Sequence, residues 1–182
     1  TGSFLLLAAA TKSHIIVTDC EPAHQDIVLN ALERMGASYS IGNRSIEVHP
    51  AKHLKPINIK THEYPGFPTD LQAPMVVALT QAEGTSIVFE TIFEGRMFWI
   101  EDLKLMGARV MILDTHRASI EGPSQLKGKE VRSPDLRAGM AYIIAGLVAQ
   151  DTTVIHDVEI IDRGYERIEE RLKALGADIT RT

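Results

Sequence analysis

Four stretches of the chain carry side chains able to bind or move charge, and each opens a helix-like segment. In Pro65-Gly66-Phe67-Pro68-Thr69-Asp70, two prolines and a glycine fix an unusual backbone path into Asp70. Asp70 there is either an N-cap or a rigidly aimed carboxylate acting as general base. Glu90-Thr91-Ile92-Phe93-Glu94-Gly95-Arg96 mixes aromatic, acidic and basic groups between a strand and a helix, as ligand-contacting loops do. Asp135-Leu136-Arg137 and Asp162-Arg163-Gly164-Tyr165 each set an arginine near a helix start, where anions are favoured and guanidinium forks grip phosphate or carboxylate. If the fold gathers Arg96, Arg137 and Arg163, they form an anion site; if it scatters them, they are surface salt bridges.

Other chemistries find little support. The seven histidines lack metal-ligand spacing, so no metal site is expected. The single cysteine, Cys20, ends a strand-like run and reads as an inert, partly buried thiol. No Gly-rich phosphate loop or GxGxxG is present, and no cofactor is expected. The mixed charges from Glu166 to Lys173 read as a solvated helix face, with Glu169 and Lys173 paired at i, i+4.

The elements that must position these loops repeat. Leu-x-x-Met-Gly-Ala runs from Leu32 to Ala37 and again from Leu103 to Ala108, with a Leu-x-x-Leu-Gly-Ala copy from Leu172 to Ala177. The glycines Gly36, Gly107 and Gly176 lie 71 and 69 positions apart. About 20 residues before each lies a β-branched run: Ile15-Ile16-Val17, Ser86-Ile87-Val88 and Thr153-Val154-Ile155. Before each run sits an apolar segment: Phe4 to Ala10, Pro74 to Ala82, and Gly139 to Ala149. The unit reads helix, strand, helix, strand. Its first helix is apolar nearly all round and therefore buried, while its second is amphipathic. Ile27, Val28, Ala31, Leu32 and Met35 form one apolar face, and Ile168, Leu172 and Leu175 another. Each second helix ends at a glycine suited to left-handed dihedrals. Strands are expected to follow at Tyr39-Ser40-Ile41, Val110-Met111-Ile112 and Asp178-Ile179. Further strands are expected at Ser45 to Val48, Ile57 to Lys60 and Ala118 to Ile120. The segment from His49 to Pro68, with four prolines, is a connector.

The composition agrees with a globular chain: 182 residues, 45% hydrophobic and 24% charged. A net charge of −5 makes nucleic acid a poor partner. No apolar run approaches the roughly 18 residues of a membrane span. The longest, Phe4 to Ala10, lacks the flanks of a signal peptide and reads as a buried helix whose preceding strand lies elsewhere. A lone cysteine fits a reducing, cytoplasmic setting.

At these same loops the sequence resembles the enolpyruvyl transferases, on the branch that acts on UDP-N-acetylglucosamine. The stretches that carry the resemblance are Phe67-Pro68-Thr69-Asp70-Leu71-Gln72-Ala73, Ala82-Glu83-Gly84-Thr85, Glu90-Thr91-Ile92-Phe93-Glu94, Met106-Gly107-Ala108, Asp135-Leu136-Arg137-Ala138 and Ile161 through Glu169. The resemblance implies an α/β fold: an inside-out α/β barrel of three βαβαββ-like repeats, about 1–50, 65–121 and 131–182. This would be one of two such domains, with the partner N-terminal domain and the first strand outside the chain. It implies transfer of the enolpyruvyl group of phosphoenolpyruvate to the 3-hydroxyl of UDP-N-acetylglucosamine, the first committed step of peptidoglycan synthesis. Asp70 would bind the sugar hydroxyl and act as its base, and Ile92 and Phe93 would contact the UDP-sugar. Arg96, Arg137 and Arg163, supported by Asp135, would gather around phosphoenolpyruvate. A lone domain would be inactive. The alternatives are the sister 3-phosphoshikimate 1-carboxyvinyltransferase and a non-catalytic binding module of the same fold. Gly95 stands where the family usually has Asn, and Gly139-Met140 where it usually has Ser-Ala. The family's catalytic cysteine lies in the part not covered, and Cys20 does not match it.

Overall fold

A helix with no polar face has to be covered on every side, and three segments of this chain make such helices. In the computed structural model, which describes residues 1–182, the elements are α1 (Gly2–Thr11), β1 (Ile15–Thr18), α2 (Asp26–Arg34), β2 (Tyr39–Ile41), β3 (Ser45–Val48), β4 (Ile59–Lys60), α3 (Gln72–Leu79), β5 (Gly84–Phe89), α4 (Ile100–Leu105), β6 (Arg109–Ile112), β7 (Arg117–Gly122), β8 (Glu130–Arg132), α5 (Leu136–Val148), β9 (Val154–His156), α6 (Glu159–Asp162) and α7 (Ile168–Ala174). Helices α1, α3 and α5 pack on one another in all three pairings. Gly2 through Ala10, the whole of α3, and Ala138 through Ala145 are buried.

Three sheets surround this helical centre, making a mixed α/β fold. The first, in the order β1-β3-β2, is antiparallel throughout. The second, β4-β5-β7-β6, adds a parallel strand, β4, to an antiparallel set. The third pairs β8 with β9 in parallel. Their inward residues, among them Ile15, Ile46, Val88, Ile120 and Val131, join the helices in one apolar cluster. Tyr142 of α5 is fully buried and donates its hydroxyl to Asp102 Oδ2 of α4 at 2.5 Å. Burial and that acidic neighbour push its phenol well above the ordinary tyrosine range. No helix is long and apolar enough to cross a membrane.

The repeated Leu-x-x-Met/Leu-Gly-Ala has a physical meaning. Gly36, Gly107 and Gly176 have φ of 83°, 98° and 94°. In each copy the alanine amide donates back to the carbonyl of the leucine five residues earlier: Ala37 to Leu32 at 2.9 Å, Ala108 to Leu103 at 2.9 Å, Ala177 to Leu172 at 3.0 Å. This is the Schellman closure, with the buried leucine side chain anchoring the last turn.

Sequence and structure differ in places. Asp178-Ile179 forms no strand, because no strand in the chain lies beside it to exchange backbone hydrogen bonds. Residues 130–132 form β8, which periodicity over so short a run does not reveal. The apolar face of α2 uses Leu29 in place of Ile27, and Leu175 lies outside the face of α7, more than half exposed.

The left-handed caps predict a graded cost. Gly107→Ala forces a Cβ residue into a conformation that costs about 1–2 kcal/mol and brings that Cβ within 3.1 Å of the Gln125 carbonyl. Gly176→Ala meets nothing within 4 Å. Thermal unfolding should show the larger fall in Tm for Gly107→Ala; equal Tm values for the two variants would contradict the packing part of this account.

Candidate active site at the helix N-termini

The amino ends of the three central helices lie together. A Cβ on Gly2, at the start of α1, would run into the side chain of Leu71, just before α3. Ser3 of α1 hydrogen-bonds the Tyr165 hydroxyl at 2.7 Å. Burial raises the Tyr165 phenol above its ordinary value; the Ser3 hydrogen bond opposes this, and Asp70 and Arg137 act on it in opposite senses. Asp70, before α3, accepts from Arg137 Nε, in the first turn of α5, at 2.7 Å. Three helix dipoles therefore present their positive ends to one place.

Asp70 does not cap its helix: no side-chain capping bond is made at the Thr69–Leu71 turn or at α3. Its carboxylate instead faces two guanidinium groups, Arg137 at 2.7 Å and Arg96 Nη2 at 3.9 Å. The Asp70 side chain is 63% exposed, against 32% for Arg137 and 13% for Arg96. The capping role falls to Asp135, whose Oδ1 accepts from the backbone amides of Arg137 at 2.7 Å and Ala138 at 3.1 Å. Asp135 thus sets the first turn of α5, from which Arg137 projects. A Cβ at Gly139 would press on Ser133 and Ile161, so the bare glycine lets the segment of residues 159–165 lie close against α5.

Arg96 is no solvated surface residue. Its Nη1 donates to Thr69 Oγ1 at 2.7 Å, and its guanidinium lies 4.4 Å from the centroid of the Phe93 ring. Gly95, before it, has φ of 70°, a conformation that glycine adopts freely and asparagine tolerates best among other residues. Ile92 is half-buried, and the Phe93 ring is exposed beside Arg96. Arg163 sits at the end of α6, exposed and without an ion pair. Its neighbour Gly164 packs on Leu136. Asp70, Arg96 and Arg137 are thus brought into contact, while Arg163 is joined to them only through its backbone neighbours.

Nothing in the sequence pattern sets Glu90 apart from the other residues of its loop. The residue is fully buried at the end of β5. Oε1 accepts from Thr61 Oγ1 at 2.9 Å, Ile92 N at 2.8 Å and Phe93 N at 3.2 Å, and Oε2 from Thr69 Oγ1 at 2.8 Å. Away from this region, His14, Glu47 and His49 bring three potential ligand atoms within 4.8 Å of one another. The two rings are stacked at 8°, with His14 Nε2 2.6 Å from Glu47 Oε1 and His49 Nε2 2.9 Å from the Ser40 hydroxyl. Cys20 is buried, its thiol directed at the Val17 and Arg44 carbonyls.

The fold is that of enolpyruvyl transferases. The structure of the enolpyruvyl transferase NikO from Streptomyces tendae superposes with a TM-score of 0.87 at 24% identity, over 98% of this chain and 43% of that one. EPSP synthase from Acinetobacter baumannii gives 0.75 at 19% identity, over 99% of this chain and 46% of that one. A family profile matches residues 1–172, and the chain belongs to the EPSP synthase (3-phosphoshikimate 1-carboxyvinyltransferase) family. Within it, the chain is 44% identical over its whole length to UDP-N-acetylglucosamine 1-carboxyvinyltransferase 2 of Listeria monocytogenes, and 45% identical over 98% of its length to the UDP-N-acetylglucosamine 1-carboxyvinyltransferase of Halothermothrix orenii. It spans 43% and 42% of those two relatives.

The ion pair makes a prediction. Asp70 occupies Arg137 as an anionic ligand would. Exposed pairs contribute about 0.2–1 kcal/mol, so Asp70→Asn should tighten inorganic phosphate binding about 1.4- to fivefold. Calorimetric titration of the chain and the variant with phosphate checks this; identical or weaker binding by the variant would mean that Arg137 is not available to anions.

Proposed function

We propose that the chain is one domain of an enzyme that transfers the enolpyruvyl group of phosphoenolpyruvate to the 3-hydroxyl of UDP-N-acetylglucosamine, the first committed step of peptidoglycan synthesis, in the cytoplasm. The observation that carries the reading is the meeting of Asp70 with Arg137 and Arg96 at the helix amino ends. A potential base and two cations share one spot, as the reaction needs. The names of the curated relatives favour UDP-N-acetylglucosamine over the shikimate substrate of the sister enzyme.

Asp70 takes the proton of the sugar hydroxyl as that oxygen bonds to C2 of phosphoenolpyruvate, while the C2=C3 π pair takes a proton at C3 from an acid supplied by the rest of the enzyme. The conjugate base of that acid then removes a C3 proton, the C2=C3 bond reforms, and the bond between C2 and the phosphate oxygen breaks to release phosphate, which carries away the proton held by Asp70. Arg96, Arg137 and Arg163 hold the phosphate and carboxylate of phosphoenolpyruvate, with Asp135 fixing the turn that carries Arg137. Preorganised cations of this kind stabilise the charge that develops on addition. Ile92 and Phe93 receive the UDP-sugar.

The finer architecture belongs to the same reading. The domain is an inside-out α/β barrel of three repeats, about 1–50, 65–121 and 131–182. The three caps, the three central helices and the three sheets support it. The first sheet lacks a parallel neighbour for β1 equivalent to β4 beside β5, a place suited to a strand from the rest of the enzyme. The other half of the cleft comes from the partner domain, so the chain by itself is inactive.

Completing the chain with the region of the Listeria relative that it does not cover should give phosphate release that depends on both substrates. Asp70→Asn in that completed enzyme should lower kcat by about 10²–10⁴. Turnover by the isolated chain would sink the half-cleft reading. Turnover with shikimate 3-phosphate but not UDP-N-acetylglucosamine would transfer the assignment to the sister reaction.

A further inference from the structure

A carboxylate buried without a cation in direct contact is costly unless several donors satisfy it. Glu90 has four such donors and no direct ion pair. What those donors have in common is the candidate site. Ile92 and Phe93 give their backbone amides to Oε1. Thr69, the residue before Asp70, gives its hydroxyl proton to Oε2 and with its lone pairs accepts Arg96 Nη1 at 2.7 Å. Thr61, also on Oε1, receives the Thr91 amide at 2.8 Å and so ties the loop to β4. The loop is held from its far side as well, because the Glu90 amide donates to the His116 carbonyl and the Glu90 carbonyl lies 2.8 Å from His116 Nδ1.

We propose that Glu90 is the positioning residue of this site, and that its two oxygens serve two different parts of it. The inference rests on the reading under Proposed function. Oε1 fixes the backbone at Ile92 and Phe93, the surface offered to the UDP-sugar. Oε2 orients the Thr69 hydroxyl, which in turn fixes Arg96 and the turn carrying Asp70, the groups offered to the reacting centre. With donors arriving on both oxygens, the group serves as acceptor only. An amide in its place puts an N–H against a donor on one side or the other, whichever way it turns.

This division gives a kinetic signature that a merely structural residue lacks. In the completed enzyme, Glu90→Gln should raise KM for UDP-N-acetylglucosamine and lower kcat, together costing about 100-fold in kcat/KM, the scale of an ångström-sized misplacement. Thr69→Val, which cuts only the Oε2 arm, should lower kcat while KM for the UDP-sugar stays within about twofold. Thr69→Ser, which keeps the hydroxyl, should recover most of what Thr69→Val loses.

A second measurement needs no turnover. In the chain itself, Glu90→Gln should speed amide hydrogen exchange at Ile92 and Phe93 at least about tenfold relative to the wild-type chain, leaving α5 amides unchanged. Unchanged exchange at those two amides would overturn the proposal, as would Thr69→Val and Thr69→Ser enzymes of equal kcat. If the wild-type completed enzyme turns over no UDP-N-acetylglucosamine while the exchange at Ile92 and Phe93 does accelerate, the functional reading fails and the positioning role of Glu90 stands.

Discussion

The mutual burial of three helices that have no polar face is the constraint from which the rest follows. An amphipathic helix can rest on a sheet and face water. Helices α1 and α3 are buried along almost their whole length, and α5 from Ala138 to Ala145. They have to take one another as neighbours on the inside and sheets on the outside. Charged residues are thereby expelled from the helix middles to the ends, where backbone amides and carbonyls are unsatisfied. The chain's chemistry collects at those ends because nowhere else in the helical centre admits it.

Which end is decided by polarity. Amide donors and the positive dipole ends sit at the helix starts, and the loops that enter α3 and α5 bring Asp70 and Arg137 there. Asp135 stabilises the start of α5 as a cap, and in doing so fixes the turn from which Arg137 projects. The overall charge of −5 says nothing of this local pairing of Asp70 with Arg96 and Arg137.

The parts of this arrangement legible in the sequence are those written in short-range pattern. The apolar runs around Leu6, Val77 and Ile144 announce buried helices, and Leu-x-x-Met-Gly-Ala announces a cap whose geometry the structure repeats three times. Pattern alone makes the arginine loops candidates, while the meeting of Asp70 with Arg137, 67 positions apart, is legible only through the family resemblance. Glu90 is illegible in the pattern too. Its donors Thr61 and Thr69 are 29 and 21 positions away, and a fully buried glutamate is written no differently from a solvated one. Asp178-Ile179 failed as a strand because strand character needs a neighbour as well as a suitable side-chain pattern.

Burial orders the site in a way that suits exchange of ligands. Glu90 is deepest, fully buried and held by hydroxyl and amide donors. Arg96 comes next, fastened to Thr69 and covered by the Phe93 ring. Arg137 and Asp70 are outermost, and they are joined by an ion pair that water and salt weaken. The strongest constraints therefore act on the deepest groups, and the weakest on the pair that an anion would have to separate under the proposed function. A ligand that offers Arg137 a phosphate in exchange for the Asp70 carboxylate replaces one charge-assisted hydrogen bond with another. Under the proposed function, that exchange would free Asp70 as an acceptor for a hydroxyl proton, while the frame beneath it would stay in place.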